Sequence, residues 1–510
     1  MAVLASPMSA QGRPPNVVFF LVDDLGWRDL GCYGSKLYET PNIDNLARQG
    51  VRFTSAYAAC HVCSPTRASI LTGKYPARLG LTDWIPGRRN FPFQSLTNVK
   101  GAQHLPFEEE TLAEALKAAG YATAAIGKWH LGKSPSDPGS HGFDHHVPKN
   151  WPRGTPNRTF HAPFGLQGLE GPKGEYLTDR LTDEAEDFFE ANRERPFFLY
   201  LAHFAVHDPI EGPADLVAKY QKKLAAMAAP PGPAFVLEGN PGPDKSRARR
   251  EPLNDPAYAG FQVLPNRNVK IKQHQDNAQF AAMVEAVDRS LGRIVAKLEQ
   301  LELTENTILI FFSDNGGMSG ANFGNPKRVV SRRKLDRAFS TSNLPLRGAK
   351  GWLYEGGIRV PMIVRWPGEA EGGRVSDEPV ISTDFYPSIL EMAGLPKKPG
   401  QHIDGISIAP LLRSGSPLDR EAIYWHFPHY SNHGMQSPGG AIRSGDYKLL
   451  EYFENNTVQL FNLAKDPGEQ VDLAQTEPQK AAELLATLRG WRKKVSARMM
   501  PPNKDWKPSK

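Results

Sequence analysis

Short apolar runs, rich in β-branched and aromatic residues, recur through the first four hundred residues at 16–22, 121–129, 196–203, 307–313 and 360–366. Their apolar character does not alternate with polar positions, so both faces of each must be covered, as in strands of a parallel sheet between helical layers. Segments of helical periodicity lie between them at 111–120, 177–191, 277–301 and 384–393. In the first of these, Thr111 and Glu114 have the spacing of a capping box, and Gly120 stands where a left-handed residue ends a helix. This alternation predicts an α/β fold: a mainly parallel central sheet with helices on both faces.

Two stretches break the rhythm. Residues 229–268 and 320–344 are crowded with Pro, Gly and charge, and read as insertions between core elements rather than as sheet. Beyond residue 412 the pattern changes to short strands at 422–427, 440–443, 447–453 and 459–462, closed by a helix at 479–494. An α/β domain over 14–415 is therefore expected, followed by a smaller antiparallel sheet-plus-helix subdomain over 416–510.

Composition narrows the class. With 510 residues, 23% charged and 40% hydrophobic, the chain matches neither an integral membrane protein, nor a disordered tail, nor a disulfide scaffold. No apolar run reaches the ~18 residues that a membrane span requires. The 61 basic and 55 acidic residues give a net charge of +6, a mild bias towards anionic partners. Because the cations form no block like a nucleic-acid arm, an anionic small molecule or glycan is the expected partner, and nucleic acid is not. Three cysteines, Cys32, Cys60 and Cys63, cannot all pair within one chain. Residues 1–15 lack the basic start and apolar stretch of a signal peptide, so the expectation is a periplasmic or secreted protein whose export signal is absent from this sequence, with the cytoplasm as the alternative.

Candidate chemistry sits where the apolar runs end. The first closes in Asp23 and Asp24, and the fourth leads into Ser313, Asp314, Asn315 and Gly316. Open α/β sheets bind ligands at the carboxyl ends of their strands. Adjacent carboxylates repel unless a cation lies between them, and three carboxylates with one amide form an all-oxygen set. Such a set suits one hard divalent cation, Ca²⁺ first and Mg²⁺ second, whereas zinc favours His or Cys. Any single Asp of this kind reads equally well as a turn or cap residue; two such groups in one chain favour the metal.

The run Cys63-Ser64-Pro65-Thr66-Arg67, ending in Leu71-Thr72-Gly73-Lys74, places a cysteine at the amino end of a predicted helix with an arginine one turn on. That arrangement suits an oxyanion. Cys60 and Cys63 also have CxxC spacing, so a redox pair, or a zinc site borrowing His61, is the competing reading. Lys128 and His130 are two residues apart at a predicted strand end, which would point both side chains the same way.

Taken together, these motifs resemble type I sulfatases of the alkaline-phosphatase-like superfamily. Besides the cysteine motif, Gly127-Lys128-Trp129-His130-Leu131-Gly132, the segment ending in His207, Ser313-Asp314-Asn315-Gly316 and Gly348-Ala349-Lys350-Gly351 occur in the family's order. The resemblance implies that a maturation enzyme oxidises Cys63 to formylglycine, whose hydrate attacks the sulfur of a sulfate ester. It further implies a cation held by Asp23, Asp24, Asp314 and Asn315, with Arg67, Lys128 and Lys350 stabilising sulfate oxygens. His207 would be the acid for the leaving group, and His130 would take the proton that lets the aldehyde reform. For the substrate, Leu81-Thr82-Asp83-Trp84-Ile85-Pro86-Gly87 is similar to a run in bacterial exo-acting polysaccharide sulfatases on galactose-type glycans. A 4-O-sulfated galactose or N-acetylgalactosamine is thus the first expectation, with Trp84, Arg88 and His429 as sugar contacts and Arg89, Trp425, His426, Phe427 and Tyr430 nearby in sequence. A phosphonate monoester or phosphodiester hydrolase of the same superfamily is the alternative enzyme, and an inactive anion- or glycan-binding homologue the alternative of another kind.

Overall fold

Nine strands form the central sheet in the computed structural model, which describes residues 13–91, 94–150, 154–156, 159–241, 251–253, 260–262, 269–320, 329–331, 339–432 and 436–506. They are β1 (Asn16–Val22), β2 (Val51–Tyr57), β3 (Ala122–Gly127), β4 (His145–Val147), β5 (Phe197–Ala202), β6 (Thr307–Ser313), β7 (Arg359–Arg365), β8 (Val375–Ser376) and β9 (Val380–Ile381). Their order is β8-β2-β7-β6-β1-β5-β3-β4, with β9 also paired to β2. The block from β6 to β4 is parallel throughout.

Alternate residues of β1 explain why its sequence shows no polar face. Val18, Phe20 and Val22 enter one hydrophobic core, and Val17, Phe19 and Leu21 enter the other, all fully buried. The expected helices stand at Leu112–Ala118, Leu177–Asn192, Ala278–Gln300 and Phe385–Met392. Thr111 and Glu114 form the anticipated capping box, and Gly120 has φ +89°. Among the described residues no helix is long and apolar enough to cross a membrane.

Sequence patterning missed or misread several features. β2 was not anticipated, because Arg52 and Thr54 interrupt its apolar residues and are only partly buried. β7 belongs to the sheet but runs antiparallel to both neighbours, and its ladder shifts register between Val360 and Met362, where Pro361 cannot donate a hydrogen bond. The two insertions were expected to lack sheet, yet Phe235–Glu238 pairs with Glu251–Leu253 and Val269–Lys272, and Gly260–Gln262 pairs with Val329–Ser331. The rest of each insertion's core, 242–250 and 332–338 among it, lies outside the described residues.

The C-terminal region follows expectation closely. Ile423–Phe427, Gly439–Ser444, Tyr447–Tyr452 and Val458–Asn462 form a four-stranded antiparallel sheet in that order, with the helix Pro478–Lys494 against it. Trp491 of this helix packs edge-on to Tyr75 at 5.2 Å between ring centroids. Trp425 Nε1 donates to Ala58 O at 2.8 Å, and the fully buried Lys448 bridges Glu355 and Glu469, each at 2.9 Å. These contacts fix the small sheet against the loops that follow β2 and precede β7.

Candidate active site

Val22 of β1 pairs with Ser313 of β6, so Asp23 and Asp314 leave neighbouring parallel strands at one level. Both are fully buried, as are Asp24 and Asn315. Asp24 adopts a left-handed backbone (φ +62°), unusual for a side chain larger than glycine. Its N–H donates to Asp314 Oδ1 at 3.2 Å, and Asn315 Nδ2 donates to Asp24 Oδ1 at 2.8 Å. Asn315 Oδ1 is left buried without a hydrogen-bond partner.

The helix Cys63–Thr72 starts against these carboxylates. Gly73 ends it in the left-handed region (φ +66°), returning its N–H to Ser69 O, as the sequence predicts. Cys63 Sγ lies 3.6 Å from Asp23 Oδ1 and 3.4 Å from Lys350 Nζ. Arg67, one turn on, donates through Nε to Asp314 Oδ2 at 2.9 Å and through Nη1 to Lys128 O at 2.8 Å. Lys350 Nζ reaches Asp24 Oδ1 at 2.6 Å, and Lys128 Nζ hydrogen-bonds Asp23 Oδ2. Ligand atoms of Asp23, Asp24, Cys63 and His207 all fall within 4.8 Å of one another. That grouping contains neither Cys60 nor His61, whose ring packs on Phe427 at 4.1 Å, so the zinc-pair reading of Cys60 and Cys63 fails.

So much buried charge has electrostatic consequences. Burial, then the neighbouring Asp314, raises the Asp23 carboxyl to about 6. Burial would raise Asp24 too, but Lys350, ahead of His207 and Lys128, overrides it and holds that carboxyl below the usual range. A carboxylate pushed up by burial and by a neighbouring acid, an orphaned amide oxygen and an all-oxygen donor set are what a hard divalent cation satisfies, and Asp23, Asp24, Asp314 and Asn315 fit one.

His207 and His130 differ in kind. His207 Nδ1 lies 2.8 Å from Asp208 Oδ1, and its Nε2 lies 3.6 Å from Asp24 Oδ2. Burial and Lys350 oppose its protonation, yet Asp24, Asp208 and Asp23 outweigh them and raise its pKa well above the ordinary histidine range. His130 is driven the opposite way, by burial and then Lys128, and stays neutral. Its Nε2 lies 2.9 Å from Ile85 O. Lys128 and His130 do converge on the site, but not by strand alternation: β3 ends at Gly127 (φ +101°), and His130 itself is left-handed (φ +58°). Asp208 was absent from the sequence candidates, although its place directly after His207 was the available signal.

Beside the cysteine, Ile85 N donates to Ser64 Oγ at 3.2 Å, tying the loop 83–87 to the helix start. This loop borders a cavity of about 240 Å³ lined by the three expected sugar contacts, Trp84, Arg88 and His429, with Asp83, Asn98 and Lys100. Arg88 is buried against Ser431 O at 3.0 Å, and His429 Nε2 lies 2.8 Å from Thr82 Oγ1. The other aromatic and basic residues in these segments serve packing instead. Trp425 and Phe427 are core, Tyr430 is buried, and Arg89 stacks on Phe91 at 4.9 Å.

Comparison with known proteins agrees with this geometry. Residues 15–395 match the sulfatase family, and residues 349–495 match the C-terminal region of N-sulphoglucosamine sulphohydrolase. A sulfatase of Formosa agariphila is 30% identical, over 96% of this chain and 92% of its own. Mouse N-acetylgalactosamine-6-sulfatase is also 30% identical, over 92% of this chain and 78% of its own. The crystal structure of Ps i-CgsB in complex with k-i-k-neocarrahexaose superposes with a TM-score of 0.69 at 27% identity, covering 94% of this chain and 93% of that one. With the family matched across the whole α/β sheet and a buried cluster of acids, cations and cysteine at its carboxyl edge, the chain belongs to the sulfatase family and is a hydrolase of sulfate esters.

Proposed function

We propose that this sulfatase removes sulfate from a terminal galactose or N-acetylgalactosamine of a sulfated glycan, the 4-O ester first, through formylglycine made from Cys63. One observation carries the mechanism: Cys63 Sγ sits at a helix start between Asp23 and Lys350, within the group that also holds Asp24 and His207. Oxidised and hydrated, position 63 supplies a geminal diol as nucleophile. A hard cation, Ca²⁺ before Mg²⁺, when bound by Asp23, Asp24, Asp314 and Asn315, adds positive charge beside the sulfate.

The chain's own residues do the rest. Arg67, Lys128 and Lys350 present fixed cations to the sulfate oxygens in a site closed to water, where their attraction is strongest. His207 donates a proton to the departing sugar oxygen, and neutral His130 accepts the proton released when sulfate is expelled. Cys63 is only 2% exposed in the folded chain, so the maturation enzyme is expected to act before folding completes. A periplasmic or secreted location goes with this substrate.

The sugar assignment draws on the cavity and on the relatives. Its volume is small beside the ~300–1,000 Å³ of common ligand pockets, which favours a single terminal residue over an internal stretch of chain. Trp84 offers an aromatic face and Arg88 a guanidinium. The mouse relative is named for N-acetylgalactosamine 6-sulfate, and Ps i-CgsB is seen with a neocarrahexaose. Parallel assays on 4-O- and 6-O-sulfated galactose and N-acetylgalactosamine, with 4-nitrophenyl sulfate and a phosphate diester as controls, decide ring position and reaction class. Trp84→Ala should raise KM for the sulfated sugar about tenfold and leave 4-nitrophenyl sulfate unaffected. Faster turnover of the phosphate diester than of any sulfate would overturn the reading.

Elemental analysis should find one alkaline-earth ion per chain. In the apo protein, adding Ca²⁺ at a hundredfold excess over its Kd should stabilise folding by about 2.7 kcal/mol. Asp314→Ala should abolish that shift. Stoichiometric zinc with no calcium or magnesium would contradict the ligand assignment.

A further inference from the structure

One wall of the sugar cavity is made by residues 88, 90 and 98–103. The described residues of this segment, 88–91 and 94–103, form neither helix nor strand, and an isolated bridge and scattered hydrogen bonds join them to the rest. Asn98, Lys100 and Gln103 from this segment line the cavity. A coil of this length has little intrinsic preference for one shape, so whatever holds it sets the shape of the cavity.

Two sets of contacts hold it. One comes from the segment beside His429: Tyr430 N donates to Asn98 Oδ1 at 2.9 Å, Leu96 N to Tyr430 Oη at 3.2 Å and Val99 N to Pro428 O at 3.3 Å. The other comes from about four hundred residues along the chain. Leu96 forms its isolated bridge with Pro502, and Thr97 N donates to Pro501 O at 2.8 Å. Asn503 N donates to Ser95 O at 2.9 Å, while Asn503 Nδ2 donates to both Phe91 O (3.2 Å) and Gln94 O (2.7 Å). Arg498 Nη1 donates to Lys100 O at 3.1 Å, and Arg498 O is itself held 2.9 Å from His426 Nε2. The tail thus satisfies backbone groups at five positions of the loop, Phe91, Gln94, Ser95, Thr97 and Lys100. It contributes almost no core: Pro501 and Pro502 are exposed and Asn503 is only partly buried. A segment with so many hydrogen bonds to one loop and so little buried apolar area acts on that loop rather than on global stability.

We propose that the Arg498–Asn503 tail is a clamp that shapes the sugar cavity, with Asn503 as a positioning residue for substrate specificity. It acts on backbone rather than on the ligand: it fixes Thr97 and Lys100 on either side of Asn98, whose own side chain is held by Tyr430 N. The proposal rests on the cavity being the sugar site, as argued above. Chemistry at Cys63 is untouched by it, because the loop 83–87 is tied to the catalytic helix independently through Ile85 and Ser64.

The test uses the full chain and three variants. Asn503→Ala removes the two side-chain donations, and Asn503→Asp keeps the size while turning a carboxylate towards two carbonyl oxygens. At the usual net worth of hydrogen bonds, both should raise KM for sulfated galactose about tenfold. kcat and KM for 4-nitrophenyl sulfate should stay within about twofold of the parent. Hydrogen exchange at Thr97 and at the other loop amides should accelerate, with the melting temperature nearly unchanged. Unaltered exchange in residues 88–103 would overturn the clamp whatever the kinetics. Faster exchange with unaltered sugar kinetics, or equal losses on sugar and aryl sulfates, would overturn its role in specificity. Trp84→Ala separates the two readings: if it weakens sugar binding while the Asn503 variants do not, the clamp fails and the cavity assignment stands; if it is silent, the cavity assignment itself is wrong and the specificity role falls with it.

Discussion

Replacing Cys63 with alanine is expected to cut sulfate-ester turnover about a thousandfold or more while leaving the melting temperature where it is. The two halves of this result come from the same geometry. Cys63 is buried, yet its sulfur faces Asp23 and Lys350 rather than a hydrophobic cluster, so losing it costs little packing. The neighbouring apolar contacts belong to Cys60, Val62 and Phe427, which the substitution leaves in place. In the proposed mechanism, turnover needs a nucleophile that can later release sulfate by reforming a carbonyl; alanine has no oxygen in its side chain, and an unmodified thiol has no second hydroxyl. In active wild-type protein the peptide carrying Cys63 should therefore contain a fraction lighter than the thiol form, with activity in proportion to it. An alanine variant hydrolysing sulfate esters at the parent rate would remove position 63 from the mechanism. Activity in a sample whose Cys63 is entirely thiol would remove the oxidation.

Which parts of this site could be read from sequence follows from what sequence patterns encode. β1, β5 and β6 lie in the middle of the sheet with both faces covered, so their burial is written as continuous apolar runs. The residues that end those runs, Asp23, Asp24, Asp314 and Asn315, are legible at one edge from sequence alone. β2 pairs with β7 and with the short β8 and β9, its Arg52 and Thr54 are only partly buried, and the polar interruptions hide it. Strand direction leaves no compositional trace, which is why the reversal of β7 was invisible. Lys128 and His130 were assigned to the site for a reason that does not hold: left-handed turns at Gly127 and His130, not strand alternation, aim them. The tail contacts of Asn503 were beyond reach, because a Pro-Pro-Asn sequence has no periodicity, and its partners are backbone carbonyls, which every sequence supplies.

His207→Ala should lower kcat/KM on sulfated galactose by about 10² to 10⁴ and on 4-nitrophenyl sulfate by about tenfold at most. The contrast lies in the leaving groups. A sugar alkoxide is a poor leaving group and needs a proton as its bond to sulfur breaks, whereas a nitrophenolate departs unaided. His207 is placed to supply that proton: its Nδ1 hydrogen-bonds Asp208 O at 2.9 Å and lies 2.8 Å from the Asp208 carboxylate, which leaves Nε2 to face the site beside Asp24. Asp24 and Asp208 both favour its protonated form against burial and Lys350. Asp208→Asn weakens that support without touching substrate, so it should reproduce part of the sugar-specific loss and spare the aryl substrate. Lys350 is the competing donor, since its ammonium lies between Asp24 and Cys63. The same Asp24 contact raises its pKa against burial, so it releases a proton less readily than an imidazolium does. An equal loss on both substrates in His207→Ala would mean that His207 only positions the sulfate, and the acid would then be Lys350.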